Sequence, residues 1–305
     1  MEANLIPVVD THQHLWDLNV LSLPWLEGVP ELASEHVMST YASASEGFDV
    51  AKTVYMEVDV SVDQIRTETD YVFGLCDADD NPMAGATLRG RPGEEGFADW
   101  VNSLAGDNRA KGFRQVIHPP DVAPDHCLQE GFVRDVRLLG GIDKHFDLCV
   151  RPADLAAAAE LAKQCPDTRL VLDHCGNAHP EIVNGSLSSN DYDRDDVYWH
   201  EADQWKRDMD ALGQLDNVVC KISGVIARLP EGKDAADCLA DTVNHCLDAF
   251  PSDRVVFGSD WPVCTLGAPY HVWREALGSI ISGRSEDDQR KLLHDNAVAF
   301  YGLES

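Results

Sequence analysis

The sequence predicts a single-domain (β/α)8 barrel of the TIM type. Three observations carry this reading. Eight short apolar runs recur along the 305 residues, at 5–9, 52–58, 82–88, 110–116, 146–150, 168–173, 218–223 and 254–259. Segments with helical spacing separate them, most clearly 153–164, 235–250 and 285–301. Polar, chemistry-bearing residues stand at the same end of successive runs, which is where such a barrel keeps its active site. A doubly wound open sheet is the alternative. No Gly-x-Gly-x-x-Gly turn follows the first run, which counts against a dinucleotide-binding version of it.

Taken in order, the first run leads into Asp10-Thr11-His12-Gln13-His14. Residues i and i+2 of a strand share a face, so the two imidazoles can converge on a metal ion or a substrate oxygen. The second run ends near Glu57 and Asp59. The fourth carries Arg114 and Gln115, with His118 just beyond. The fifth ends at Arg151, the sixth in Asp173-His174-Cys175-Gly176, and the seventh near Lys221 and Ser223. The eighth ends in Gly258-Ser259-Asp260-Trp261-Pro262. Each has a plainer structural reading. His174 could bond a loop carbonyl, and Asp260 could cap a turn. Glu57 could pair with a basic residue. Arg114 or Lys221 could form an ion pair across the barrel, or Lys221 could bury its stem and point outward. Taken together, His12, His14, His174 and Asp260 favour one reaction centre. Two long segments, 15–48 and 176–200, are expected to cover its mouth.

Composition narrows the function. Acidic residues number 53 against 24 basic ones, for a net charge of −29. A nucleic-acid partner needs a basic surface, so this class is excluded, and an anionic membrane is disfavoured. The charge itself is read as a solubility feature, suited to a saline interior. No apolar run approaches a membrane span, and the first ten residues lack the basic and apolar regions of a signal peptide. The nine cysteines show no Cys-x-x-Cys spacing. They read as small core residues in a reducing, cytoplasmic setting, with a catalytic thiol at Cys175 or Cys264 disfavoured. A homo-oligomer is compatible with all of this.

Five motifs fall in a telling order: Asp10-Thr11-His12-Gln13-His14-Leu15-Trp16-Asp17, Lys111-Gly112-Phe113-Arg114-Gln115-Val116, Leu172-Asp173-His174-Cys175-Gly176, Cys220-Lys221-Ile222-Ser223-Gly224 and Phe257-Gly258-Ser259-Asp260-Trp261-Pro262. With them the chain resembles the amidohydrolase superfamily, and within it the lactonase-type branch of L-fuconolactonase, L-rhamnonolactonase and 2-pyrone-4,6-dicarboxylate lactonase. The resemblance implies a distorted barrel in which Asp260 activates water and His12, His14 and His174 surround the reacting carbonyl. The fourth strand offers Arg114 and the fifth ends in Arg151, where two-metal members carry metal ligands, so a binuclear centre is not expected. Two states stay open. The enzyme works without metal, or it holds one divalent zinc or manganese ion on His12, His14, Glu57, His174 and Asp260. The expected substrate is a small-molecule lactone, with Arg114, His118, Arg151 and Trp261 binding it. Trp16 and Trp199 are further candidates for stacking on a ring. A single-metal decarboxylase acting on a carboxylated substrate is the alternative, and a non-catalytic binder on the same scaffold is the bland one.

Overall fold

In the computed structural model, residues 6–303 are described; residue 5, the start of the first expected strand, lies outside them. Eight strands form one sheet in the order β1 to β8, and each strand runs parallel to the next. They are β1 Val8–Gln13, β2 Val50–Met56, β3 Met83–Arg89, β4 Ala110–Val116, β5 His145–Cys149, β6 Leu170–Leu172, β7 Val218–Ile222 and β8 Val255–Phe257. Helices separate them, so the chain is a (β/α)8 barrel. The expected helices at 153–164 and 235–250 become Leu155–Gln164, after a short 3-10 turn, and Ala235–Ala249. The expected helix at 285–301 is three consecutive pieces, with a π-helical turn Lys291–Asp295 in the middle.

Side chains alternate between the two faces of each strand. Outward residues such as Leu148, Leu170, Leu172, Cys220 and Ile222 pack under the helices in the main core. Each fully buried Leu or Val there contributes roughly 1.5–3 kcal/mol. Inward residues form layers. At the N-terminal ends of the strands, Val9, Val54, Val219 and Val256 meet Ala297, Tyr301 and Leu303. The last helix thus plugs the end of the barrel opposite the catalytic face. Above this apolar layer the interior turns polar, with Thr11, Thr87, His145, Asp147, Asp173 and Lys221 all buried.

The first strand runs later than its apolar residues suggest. It spans Val8–Gln13 because Asp10 to Gln13 continue the pairing with β2. Their polar side chains find partners rather than water. Thr11 Oγ1 donates to the Phe257 carbonyl at 2.7 Å, and Tyr41 Oη donates to Asp10 Oδ2 at 2.8 Å. Asp10 Oδ1 accepts from the backbone N–H of Ser259 at 2.8 Å and of His12 at 3.2 Å. The catalytic rim closes through the same residues. His14 N–H donates to the Trp261 carbonyl at 2.8 Å, and Asp260 N–H donates to the His12 carbonyl at 2.8 Å. The bonds that close the barrel are thus the ones that place His12, His14 and Asp260. No helix among the described residues is long and apolar enough to cross a membrane. All nine cysteines are free thiols.

Candidate active site

His12, His14, His174 and Asp260 meet at the catalytic end of the barrel. The Nε2 atoms of His12 and His14 lie 3.1 Å apart. Asp260 Oδ1 is 3.3 Å from His14 Nε2 and 3.6 Å from His12 Nε2. The rings of His12 and His174 are 4.4 Å apart between centroids. His14 Nδ1 lies 3.0 Å from the Met56 carbonyl, and a carbonyl can only accept, so Nδ1 carries a proton and Nε2 faces the centre. His174 Nδ1 is bonded to Ser223 Oγ at 2.9 Å.

Burial sets the charge states. It lowers His12 well below the usual imidazole range, with the Lys221 charge adding to the effect, and it lowers His174 too. Burial thus favours the neutral form of both rings, the form that ligates a metal. Burial alone would raise Asp260. His174 and the contact with His14 outweigh it and hold the carboxyl well below its ordinary value, so it is a carboxylate.

Local backbone aims these side chains. After β6 the chain makes a left-handed turn through four residues, with φ of 57° at His174, 53° at Cys175, 66° at Gly176 and 56° at Asn177. For residues other than glycine this costs roughly 1–2 kcal/mol each. Asn177 Nδ2 anchors the turn on the Val150 carbonyl at 2.8 Å. Asp260 also has positive φ, at 57°. Such strain is concentrated where a side chain must face a site. Gly224 is required for a related reason: a Cβ there would stand 2.3 Å from His174 Nδ1, and its φ is +71°. Gly224→Ala is therefore expected to push His174 off its position and cost about 10²-fold in kcat/KM while the barrel stays folded. Steady-state kinetics beside circular dichroism check this.

The centre forms the floor of a cavity of about 370 Å³, lined there by His14, Arg114, His174 and Asp260. Ligand sites typically occupy roughly 300–1,000 Å³. Trp25, Val29 and Leu32 from the 15–48 segment form an apolar wall, and Tyr198 from the 176–200 segment stands at the rim with Arg228 and His118. Arg228 stacks on the Tyr198 ring at 3.5 Å. Burial, reinforced by Arg228, pushes His118 down to about 3, so it is neutral.

Three sequence expectations are corrected. Glu57 lies outside both groups of His and Asp donor atoms that come together here. Its Oε1 accepts from Arg114 Nε at 2.7 Å and its Oε2 from the Asp59 N–H at 2.7 Å. Trp261 is buried behind the centre against His36 and Tyr41, with ring separations of 5.3 and 5.5 Å, and lines no part of the cavity. Arg151 turns to Asp154, 2.5 Å away, and does not line it either. Trp16 is fully buried, and the Trp199 indole bonds the Ser189 carbonyl at 2.9 Å. Sequence reasoning named Trp25 only within the 15–48 segment and singled out neither Tyr198 nor Arg228.

The donors fit one divalent ion. His12, His14 and Asp260 each bring a ligand atom, all within 4.8 Å of one another. The carbonyl bond to His14 Nδ1 is the outer support that a metal-binding imidazole usually has.

The fold and this His-x-His, His and Asp set define a barrel hydrolase of the amidohydrolase type. The amidohydrolase family model matches residues 9–303, and the chain belongs to that family. It is 27% identical over 271 residues to an L-fucono-1,5-lactonase of Burkholderia multivorans, covering 86% of this chain and 84% of that protein. It is 25% identical over 324 residues to protein y4mH of Sinorhizobium fredii, covering 97% and 98%. A solved amidohydrolase of Burkholderia multivorans with bound zinc shares the fold, with a TM-score of 0.81, 23% identity and coverage of 98% and 100%.

Proposed function

We propose that the protein hydrolyses the ester bond of a lactone, with sugar-acid lactones as the substrate class. The observation that carries this is the Asp260 carboxylate, which shares one point with the imidazoles of His12 and His14 beneath an open cavity. The relative named as a fuconolactonase supports the choice of bond.

Asp260 accepts a proton from the attacking water and returns it to the ring oxygen as that leaves. A carboxylate in hydrogen-bond reach of the water serves as general base in this way. His174, backed by Ser223, faces the carbonyl. Arg114 is fixed by Glu57 and keeps a positive charge at the cavity floor, where the oxyanion develops. A divalent ion on His12, His14 and Asp260 would supply Lewis-acid polarisation of the carbonyl. Trp25 and its apolar neighbours cover one face of the ring, while His118 and Tyr198 offer polar contacts at the rim.

A panel of aldonolactones and pyrone lactones, followed with a pH indicator, tests the reading. At least one sugar-acid lactone is expected to turn over. A chelator is expected to abolish that turnover, and zinc or manganese to restore it. Absence of turnover across the panel, with carbon dioxide released from a carboxylated aromatic acid instead, would replace hydrolysis with decarboxylation.

A further inference from the structure

The motif Cys220-Lys221-Ile222-Ser223-Gly224 contains a charge that the reaction above does not use. Alternation along β7 turns Val219 and Lys221 into the barrel, the valine into the plug and the lysine just beneath the reaction centre. Lys221 Nζ lies 2.6 Å from Asp147 Oδ2, 3.0 Å from Asp173 Oδ1 and 3.3 Å from His12 Nδ1. The side chains of Lys221, Asp147 and Asp173 have no exposed surface. Two carboxylate oxygens and an imidazole nitrogen around one buried point are a donor set suited to a divalent ion. Here an ammonium group occupies that point.

A second set points the same way. His12, Asp173 and His174 also bring ligand atoms within 4.8 Å of one another, sharing His12 with the first group. Its carboxylate is already committed to two fixed cations: Lys221 on Oδ1, and Arg114 Nη1 at 3.6 Å from Oδ2. A further ion bound to Asp173 would be pressed against both, in a buried setting where repulsion is strong.

We propose that the Lys221 ammonium takes the place of a second metal ion, confining the centre to a single cation and fixing His12 through Asp173. Lysine suits this role because its charge is compact and its stem is long enough to cross the barrel. Asp173 Oδ1, held by Lys221, faces His12 Nδ1 at 3.4 Å. The other ring nitrogen of His12 is thereby presented to His14 and Asp260. Lys221 is thus a positioning residue, two contacts removed from substrate. The proposal rests on His12, His14 and Asp260 as the ligands of the first ion, but its readout is a difference in ion number and does not require lactonase activity.

The test is metal stoichiometry. Folded full-length protein is loaded with excess Zn²⁺ or Mn²⁺, desalted, and measured by native mass spectrometry and elemental analysis. Wild type is expected to hold one ion. Lys221→Ala and Lys221→Gln are each expected to hold one ion more than wild type, and Lys221→Arg the same number as wild type. Metal-free Lys221→Ala is expected to melt well below wild type and to regain much of that loss when the ion is added. If the alanine variant does not fold, Lys221→Gln decides the matter, since it fills much of the lysine's space without carrying the charge that excludes the ion. A folded glutamine variant that binds no more ions than wild type overturns the proposal, and so does a wild type that already binds two. A wild type with no ion beside a variant with one supports the role of Lys221 while removing the single-ion reading of His12, His14 and Asp260.

Discussion

Asp260→Asn is expected to lower kcat for lactone hydrolysis by roughly 10³-fold or more, with the barrel intact. The substitution isolates chemistry from structure. Asparagine has the size of aspartate and is among the few residues that tolerate the left-handed backbone required here, where φ is 57°. The backbone N–H that bonds the His12 carbonyl is unaffected, so closure of the rim survives. Two things are lost. The amide cannot take a proton from water, and it is a poor ligand for the ion that His12 and His14 would share with it. The variant should therefore combine a collapsed kcat with weaker zinc or manganese binding and a near-normal circular dichroism spectrum. Retention of more than about a tenth of wild-type turnover would remove Asp260 as the base, since a general base contributes typically 10²–10⁴-fold.

The barrel was legible in the sequence because its strands are buried on both faces and read as apolar runs. Strand β4 occupies the expected 110–116. The first strand was misplaced because polar residues carry it on: Asp10, Thr11 and His12 interrupt the apolar run that Val8 and Val9 begin, yet their backbone continues the ladder. The candidate site was legible wherever a side chain leaves a strand end. His12, His14, His174 and Asp260 meet because strand ends in a closed barrel are neighbours. Residues supplied by connecting segments were not legible. Trp25 and Tyr198 come from stretches without periodicity, and nothing local distinguishes them from Trp16 or Trp199, which pack elsewhere. Arg114 and Arg151 looked equivalent in sequence. What separates them is the acid each one meets: Glu57 holds Arg114 at the cavity floor, and Asp154, three residues along, turns Arg151 away.

That difference leads to the second large effect, which is on stability. Arg114→Met is expected to destabilise the fold by about 3–5 kcal/mol, the usual cost of breaking a buried ion pair from one side. The Arg114 side chain is 5% exposed and that of Glu57 1%. The guanidinium gives Glu57 two bonds, Nε to the carboxylate and Nη2 to the carbonyl, both at 2.7 Å. It also lies 3.3 Å from His12 Nε2. Methionine fills much of the space but leaves the Glu57 carboxylate buried with, among the described residues, the Asp59 N–H as its one remaining hydrogen-bond donor. At roughly 2 °C per kcal/mol for a domain of this size, the loss corresponds to a fall in Tm on the order of 6–10 °C. The double variant Arg114→Met with Glu57→Gln removes the stranded charge, so it should melt above Arg114→Met alone even though it carries one more substitution. That reversal is the signature of a coupled pair in a double-mutant cycle. Thermal melts of the four proteins decide it: if the two single losses simply add, the pair is not coupled, and Arg114 is held by its contacts with His12 and Asp173 instead. Activity should not return in the double variant, because the fixed positive charge at the cavity floor is absent from both.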